Sequence, residues 1–205
     1  MVELTCNGGK QLKKSILIAW LVLLGIFLIG AFEGLHFKES DAIPWDVDIV
    51  RTLDIDDCGK AVLFEDRGNK TFGIAELEKK FGFLFRYDGG TFGYMVEEGR
   101  PFQAAGNADE NDFLVAVKTA EDSEIKYIAL GNHMEEFWPS DPYELSLEDV
   151  KAQPDDYHWK EVVDQYVLFV VDEYTEDTWT IRAFDKEGSL IADELFGAEA
   201  RYIDW

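Results

Sequence analysis

The feature that most constrains this chain is an uninterrupted apolar segment near its N-terminus. Residues 15–32, SILIAWLVLLGIFLIGAF, form eighteen consecutive positions without a charged side chain. As an α-helix with a rise of ~1.5 Å per residue, the segment would be roughly 27 Å long, close to the ~30 Å hydrocarbon core of a bilayer. A helix buried in a soluble protein usually keeps a polar stripe, which this segment lacks. We therefore predict a transmembrane helix over residues 15–33.

The charges on either side of this segment predict its orientation. Three lysines precede it within residues 10–14, whereas Glu33 and Glu39 follow it. Lys and Arg accumulate on the cytoplasmic side of a membrane span. The sequence therefore predicts a single-pass protein of the cell membrane, with a cytosolic tail over residues 1–14 and an extracytoplasmic part from residue 34 onward.

A cleaved signal peptide is the alternative interpretation of the apolar segment. The apolar core of a signal peptide has ~7–15 residues and ends at a pair of small residues. Here the run has eighteen residues, and the candidate pairs near its end, Ile29 with Ala31 and Phe32 with Gly34, each contain a large residue. The sequence favours an uncleaved anchor.

The predicted outer part is strongly acidic. Residues 1–34 carry a net charge of +1, so residues 35–205 carry −24 to give the net −23 of the whole chain. Nucleic acids and anionic lipid headgroups require clustered Lys and Arg, so this charge excludes nucleic acid as a partner and argues against anionic lipid. It fits a cationic partner, or solubility through self-repulsion. Aromatic residues make up 14% of the chain, which is enough for a packed core, so the charge does not indicate disorder.

The two cysteines give no support for a disulfide-stabilised domain. Cys6 falls on the predicted cytosolic side and Cys58 on the outer side. An intrachain disulfide is incompatible with this topology, and an extracytoplasmic domain of this length can bury a core without one.

Short strand-like segments recur after residue 60, separated by turn residues. Short connections favour antiparallel pairing, because parallel crossovers need a dozen or more residues. We predict an α+β protein, in which an N-terminal transmembrane helix precedes a mostly antiparallel β ectodomain over residues 60–205 with a few short helices. The predicted strands are 61–66, 71–78, 81–88, 92–98, 112–120, 124–131, 166–174, 178–185 and 189–197.

Several connections can be predicted from local chemistry. Gly89 and Gly90 are typical of a hairpin turn between the strands 81–88 and 92–98. The residues AEDS at 120–123 predict a second hairpin turn, and the last three strands predict a meander. The motif SLED beginning at Ser146 predicts a short capped helix to about Ala152.

The juxtamembrane segment, residues 34–59, is open to two interpretations. Ser40 or Asp41 could cap a short helix with Pro44 in its first turn. Alternation of Trp45, Val47 and Ile49 with acidic residues is instead typical of a strand. We expect the helix. Segment 158–165, HWKEVVDQ, is likewise open between helix and strand.

One stretch approaches a metal-binding motif. Asp54 and Asp56 occupy the first and third positions of an EF-hand-like loop, Gly59 the sixth, and Glu65 the twelfth. The fifth position is Cys58, whose soft sulfur suits calcium poorly. Asp54, Asp56 and Glu65 are the candidate metal ligands, although an acidic turn before a strand explains them more simply.

The sequence contains no convincing catalytic or cofactor-binding motif. Three scattered histidines, without HExxH or CxxC, do not predict a zinc site. G-x-S-x-G and phosphate-binding glycine loops are also missing, so we predict no catalytic residues and no cofactor. Trp138 lies among prolines in a loop-like passage and is the candidate ligand-binding residue, since an exposed indole can stack on a sugar or a cation.

The layout of the chain resembles a group of small proteins. The span followed by VLFED, TFGIAELEKKFGFLFRYDGG and EIKYIALGN is similar to uncharacterised, membrane-anchored envelope proteins of Gram-positive bacteria. The resemblance implies an outward-facing α+β domain and assigns no site residues.

These observations predict a non-enzymatic, single-pass membrane protein with an acidic extracytoplasmic domain. That domain would bind a protein, a cationic peptide or a cell-wall ligand. The alternatives are a membrane-anchored hydrolase acting on cell-wall polymer, and an accessory subunit of a membrane complex attached through the helix.

Overall fold

The computed structural model describes residues 8–32, 34–55, 59–108, 112–132, 145–172, 179–195 and 198–203. Its helices are α1 (Gly8–Phe32), α2 (Glu39–Ala42) and α3 (Leu147–Lys151). Its strands are β1 (Val47–Asp54), β2 (Gly59–Asp66), β3 (Phe72–Lys80), β4 (Leu84–Tyr94), β5 (Phe102–Ala108), β6 (Asp112–Thr119), β7 (Tyr127–Asn132), β8 (Tyr157–Glu161), β9 (Tyr166–Asp172), β10 (Trp179–Phe184), β11 (Leu190–Glu194) and β12 (Arg201–Tyr202).

In the described ranges these strands form three sheets, and every pairing between them is antiparallel. Sheet A has the order β1-β2-β3-β4, sheet B the order β5-β6-β9, and sheet C the order β12-β11-β10-β7-β8. The predicted β-rich α+β class, with mostly antiparallel strands and a few short helices, is confirmed.

Sheet B is the middle layer because its strands β6 and β9 are apolar on both faces. Along β6, Leu114 and Ala116 pack with side chains of sheet A, whereas Val115 and Val117 pack with side chains of sheet C. A strand that is buried on both sides has a continuous apolar run in its sequence, and residues 113–117 of β6 read FLVAV. The two inter-sheet cores are therefore specified by alternate residues of the same strands.

The outer faces of sheets A and C are covered by short segments of the chain. Ala42 and Ile43 pack over the outer face of sheet A, in a cluster with Val47, Val62 and Phe64 of that sheet. Leu147 and Val150 of α3 pack over the outer face of sheet C. Ser146 caps α3, since its hydroxyl accepts from the Asp149 backbone N–H and the Asp149 carboxylate accepts from the Ser146 backbone N–H. This capping box confirms the helix predicted from SLED.

The N-terminal helix exposes its apolar side chains. Among the eleven large apolar residues of α1 whose side chains are described, each is more than half exposed. Within the described part of the chain, no helix combines the length and the apolar character that crossing a bilayer requires.

Segment 34–59 differs from its predicted helix. α2 ends at Ala42, before Pro44, and Ile43 has the extended angles φ −75° and ψ 129°. The pyrrolidine ring of a proline disfavours the helical region for the preceding residue, which explains why the helix does not continue. Val47 and Ile49 instead belong to β1, so the alternative interpretation of this stretch as a strand is correct. Because β1 is part of sheet A, the sheet begins before residue 60, where the β-rich domain was predicted to start.

The predicted turn at Gly89 and Gly90 is wrong. Both glycines lie inside β4, which pairs with β3 over its whole length. A Cβ at Gly90 would overlap the carbonyl oxygen of Ile74. Gly90 therefore permits a close approach of β3 and β4. The reversal of the chain occurs earlier, at residues 81–83.

Two further pairing predictions are also wrong. β6 and β7 do not form a hairpin, and β9 does not continue into the β10–β11 hairpin. The reason is the two-sided apolar character of β6 and β9, because such strands are stable only inside a stack of sheets. β6 is flanked by β5 and β9, which leaves no edge for β7. Segment 158–165, which was open between helix and strand, contributes most of β8.

Candidate functional site

A cleft of about 920 Å³ lies beside sheet A, between residues 34–47 and strand β4. Its wall is held in place by buried side chains of the segment before β1, Ala42 and Ile43. The Glu39 carboxylate also accepts a 3.1 Å hydrogen bond from the Thr52 hydroxyl and lies 3.2 Å from the Lys60 ammonium group. These contacts fix the segment against the sheet and leave the cleft open beside it.

Aromatic side chains line part of this cleft. The Trp45 ring stacks on Phe64 with centroids 5.8 Å apart, meets the Tyr87 ring edge-on at 5.7 Å, and lies 4.0 Å from the Phe92 ring. Trp45 and Tyr87 both border the cleft. Burial raises the pKa of the Tyr87 hydroxyl, so it is a protonated hydrogen-bond donor at neutral pH. Trp45 is half-buried, so the cleft offers the part of its indole that Phe64 and Phe92 leave exposed, together with Tyr87, and such aromatic groups bind sugars.

Cationic side chains border the same cleft. Arg67 is held by two carboxylates of the β1 side, donating to Asp46 and, at 2.6 Å, to Asp48. The hydrogen bond from Arg67 lowers the pKa of Asp48 below its usual value. Arg86 donates to Glu78, whereas Lys38 has no ion pair among the described residues. Of these three cations of the cleft, Lys38 is therefore the one that forms no ion pair with a described residue.

The charges of the cleft limit what it can bind. The cations Lys38, Arg67 and Arg86 face the acids Asp41 and Asp46 around the opening. Guanidinium and ammonium groups are hydrogen-bond donors for phosphate, carboxylate and hydroxyl oxygens. Arg67 and Arg86 are already paired with carboxylates, so the charge available to a ligand is that of Lys38. The cleft therefore suits a hydroxyl-rich ligand that carries an anionic group near Lys38.

The structure does not bring the described metal candidates together. Asp54 pairs with Lys60 at one end of the β1–β2 hairpin, whereas Glu65 pairs with Asp48 near the other end. Lys60, which lies opposite Asp54, is five positions before Glu65 on β2, or roughly 17 Å away at ~3.4 Å per residue. Asp56, the third candidate, lies outside the described residues.

Each described candidate has an internal cation as its partner. The Asp54 carboxylate lies 3.1 Å from the Lys60 ammonium group. Burial opposes the charged form of Lys60, but its hydrogen bonds to Asp54 and Glu39 outweigh that effect and raise its pKa. Among the described residues, no three His, Cys, Asp or Glu side chains are grouped so that they could hold a metal ion.

Glu65 belongs to a polar contact between sheets A and B. Its Oε1 accepts hydrogen bonds from the Lys118 ammonium group, at 2.6 Å, and from the Tyr166 hydroxyl. Burial opposes ionisation of Glu65, but these two hydrogen bonds outweigh it and lower its pKa. Burial and the bond to Glu65 raise the pKa of Tyr166. Glu65 thus stabilises the contact between two sheets.

The candidate ligand-binding residue Trp138 lies outside the described residues. Trp45 does border the cleft, together with Tyr87, but the sequence suggested it only as a strand or helix position. Lys38, Arg67 and Arg86 are far apart in the sequence and meet through the pairing of β1 to β4. The sequence signal that could have singled out these cations is their sign. Lys and Arg are outnumbered by Asp and Glu in residues 35–205, which carry a net charge of −24.

Comparisons with protein-family models, curated proteins and solved structures give no match.

Proposed function

We propose that this protein is a single-pass, membrane-anchored extracytoplasmic protein that binds a cell-wall ligand in the cleft beside β4. The N-terminus is cytosolic in this proposal, and the β-rich domain faces outward. The observation that carries the proposal is the cleft itself, where Trp45 and Tyr87 lie beside Lys38 and Arg86.

The anchor is supported by the sequence and by the exposure of α1. Residues 15–32 lack charges, and side chains such as Trp20 and Phe27 are 69% and 63% exposed. A continuous apolar surface of this kind is costly in water and needs an apolar environment. The lysines before the span support a cytosolic N-terminus.

The charges around the cleft support a wall polymer over a cationic peptide as the ligand. A cationic peptide would meet Lys38 at the opening, and the carboxylates of Asp46, Asp48 and Glu78 are already paired with Arg67 and Arg86. A saccharide carrying phosphate or carboxylate groups could stack on Trp45 and accept hydrogen bonds from these cations. The acidity of the remaining surface then serves solubility.

A binding role is better supported than the alternative of a wall hydrolase. A glycosidase needs a carboxylic acid whose pKa is raised so that it can donate a proton. Among the described carboxyl groups with a resolved shift, Glu194 is the one whose pKa is raised, to about 7, by burial. Glu194 lies on β11 of sheet C, whereas the cleft lies beside sheet A.

Ligand binding can be tested with the full chain in detergent micelles. The probes are poly(glycerol phosphate), an oligosaccharide of N-acetylglucosamine and, as a cationic competitor, oligolysine, each measured by calorimetric titration. We expect the anionic polymer to bind. Lys38→Ser should lower its affinity by about three- to tenfold, because one charged donor is lost. The matched control is Lys186→Ser, which removes the same charge from the exposed β10–β11 turn. Equal weakening by both substitutions, or binding of oligolysine alone, would contradict the proposal.

Anchoring and topology need a separate experiment. The full chain should remain in the membrane fraction after alkaline carbonate washing. In a chain carrying Cys58→Ala and Lys186→Cys, a membrane-impermeant maleimide should label position 186, which is exposed in the β10–β11 turn, in intact cells and Cys6 only after permeabilisation. Release of the chain by carbonate, or the reverse labelling pattern, would overturn the anchor or its orientation without affecting the cleft.

A further inference from the structure

Three phenylalanines form an exposed apolar patch at the turn between β3 and β4. Phe81 is 81% exposed, Phe83 57% and Phe37 68%. The rings of Phe37 and Phe83 stack with centroids 6.2 Å apart and an interplanar angle of 21°. The patch thus joins the turn to the segment that follows α1, although its rings are left largely outside the core.

The backbone at this turn makes Phe81 an unexpected residue. Phe81 has φ +54° and is followed by Gly82 at φ +78°. A bulky side chain is disfavoured in the left-handed region, where Gly or Asn is preferred. Neither the turn geometry nor the core therefore favours phenylalanine at position 81, which points to a contact outside the domain.

The patch lies close to the end of the N-terminal helix. His36 and Phe85 exchange backbone hydrogen bonds of 2.8 Å in both directions. α1 ends at Phe32, so three residues lie between it and His36, and the distance from Phe32 to His36 is at most about 14 Å. If α1 crosses the bilayer as proposed, the patch is within reach of the headgroup region, which is roughly 5–7 Å thick on each side.

The charge near the patch is opposite to that of the domain. Lys79 and Lys80 directly precede Phe81, and residues 79–83, KKFGF, contain no acid. Lys80 pairs with Glu78, whereas Lys79 has no ion pair among the described residues. The net charge of the domain argued against binding to anionic lipid. However, charges more than ~8 Å away are largely screened at physiological salt, so the charge of the patch itself determines whether it is attracted to an anionic surface.

We infer that this aromatic–basic patch, formed by Phe37, Phe81, Phe83, Lys79 and Lys80, docks the ectodomain onto the anionic lipid surface that holds α1. The phenyl rings enter the interface between headgroups and acyl chains, and the two ammonium groups lie among the lipid phosphates. Docking would hold the neighbouring cleft close to the membrane and restrict the orientation of the domain. The inference rests on the anchor of the proposed function and is independent of the ligand in the cleft.

Photocrosslinking of the full chain tests this inference. Phe81 is replaced by benzoylphenylalanine, and the protein is reconstituted in vesicles of phosphatidylcholine and phosphatidylglycerol. The matched control carries the same residue at Tyr202, which is 46% exposed on β12 of sheet C. We expect lipid adducts at position 81 to exceed those at position 202 by about fivefold or more, since the ring is buried in the interface. Equal adducts at both positions, or adducts at 81 to protein instead of lipid, would overturn the inference.

A second variant separates the patch from the anchor. Lys79→Gln with Lys80→Gln keeps the phenylalanines and α1, so the chain should still float with vesicles while lipid adducts at position 81 fall by about threefold or more. Unchanged adducts would refute the role of the lysines in docking. If neither the chain with the native lysines nor the double variant floats with the vesicles, the anchor on which the inference rests is overturned. If the chain with the native lysines floats but forms no lipid adducts at position 81, docking alone is overturned.

Discussion

Glu65 on β2 of sheet A accepts a 2.6 Å hydrogen bond from the Lys118 ammonium group on β6 of sheet B. The Tyr166 hydroxyl on β9 donates to the same oxygen, and its ring lies 5.0 Å from the Lys118 nitrogen. One carboxylate oxygen therefore satisfies two polar groups at the border of an apolar core. The contact is a point at which the three strands are held in register.

Removing this carboxylate should destabilise the domain. Glu65→Ala leaves the Lys118 ammonium group, whose side chain is 18% exposed, and the buried Tyr166 hydroxyl without this acceptor. We expect a loss of about 1–3 kcal/mol in the free energy of unfolding, measured by urea denaturation. Glu65→Gln should lose less, because it retains an acceptor oxygen.

The matched control for this loss is an exposed lysine–glutamate pair. Glu161 lies 2.9 Å from Lys126, with both side chains about half exposed. Glu161→Ala should cost less than about 1 kcal/mol, as is usual for surface pairs. If Glu161→Ala and Glu65→Ala reduced the free energy of unfolding equally, the position of Glu65 between the two sheets would not strengthen its contribution to stability.

The same contact predicts the response to calcium. A calcium ion at Glu65 would have to displace the Lys118 ammonium group and the Tyr166 hydroxyl, and Asp54 lies at the other end of the hairpin. We expect the thermal midpoint of the wild-type chain to be the same in millimolar calcium and in magnesium at equal ionic strength. A calcium-specific increase that Glu65→Gln abolishes would restore the metal-binding hypothesis.

Glu194 predicts a pH dependence of stability. Burial raises its pKa from 4.5 to about 7, so the folded state favours the protonated carboxyl. Its contribution to the free energy of unfolding is complete below about pH 4.5 and is lost as the pH rises through 7. The full shift corresponds to at most about 3 kcal/mol, and partial exposure of the side chain reduces our expectation to about 1–2 kcal/mol.

Glu194→Gln tests this dependence, because it keeps the neutral form at every pH. Urea denaturation should give similar stabilities for the variant and the wild type near pH 5, and a more stable variant near pH 8. Glu65 and Asp48 have lowered pKa values and titrate with the opposite sign, but they are present in both chains and cancel in the comparison. A stability difference that is constant across this range would contradict the shifted pKa of Glu194.

The sequence predicted the strands better than their partners. The apolar runs in β6 and β9 and the capping box at Ser146 depend on neighbouring residues, so local patterns were sufficient to place them. Which strands share a sheet depends on contacts between residues far apart, such as Phe113 with Val171. The apolar runs mark β6 and β9 as buried on both faces, but no local pattern identifies the strands with which they pair.

The candidate site was hidden from the sequence for a similar reason. Lys38, Arg67 and Arg86 converge because β1 to β4 form one sheet and Pro44 ends the preceding helix. The EF-hand-like spacing was misleading because it assumes a loop followed by a helix. Glu65 instead lies in an extended strand, which places it away from Asp54.

The two adjacent glycines of β4 provide a matched test of the sheet. Gly89 and Gly90 have φ +157° and +152°, so alanine is strained by the backbone at either position. A Cβ at Gly89 meets no atom within 4 Å, whereas one at Gly90 overlaps the backbone of Ile74 on β3. Gly90→Ala should therefore reduce the free energy of unfolding by about 1–3 kcal/mol more than Gly89→Ala, because the strands must separate to accommodate the methyl group. If the glycines formed an exposed hairpin turn, the two substitutions would cost similar amounts in urea denaturation, and that result would refute the continuous β4 strand.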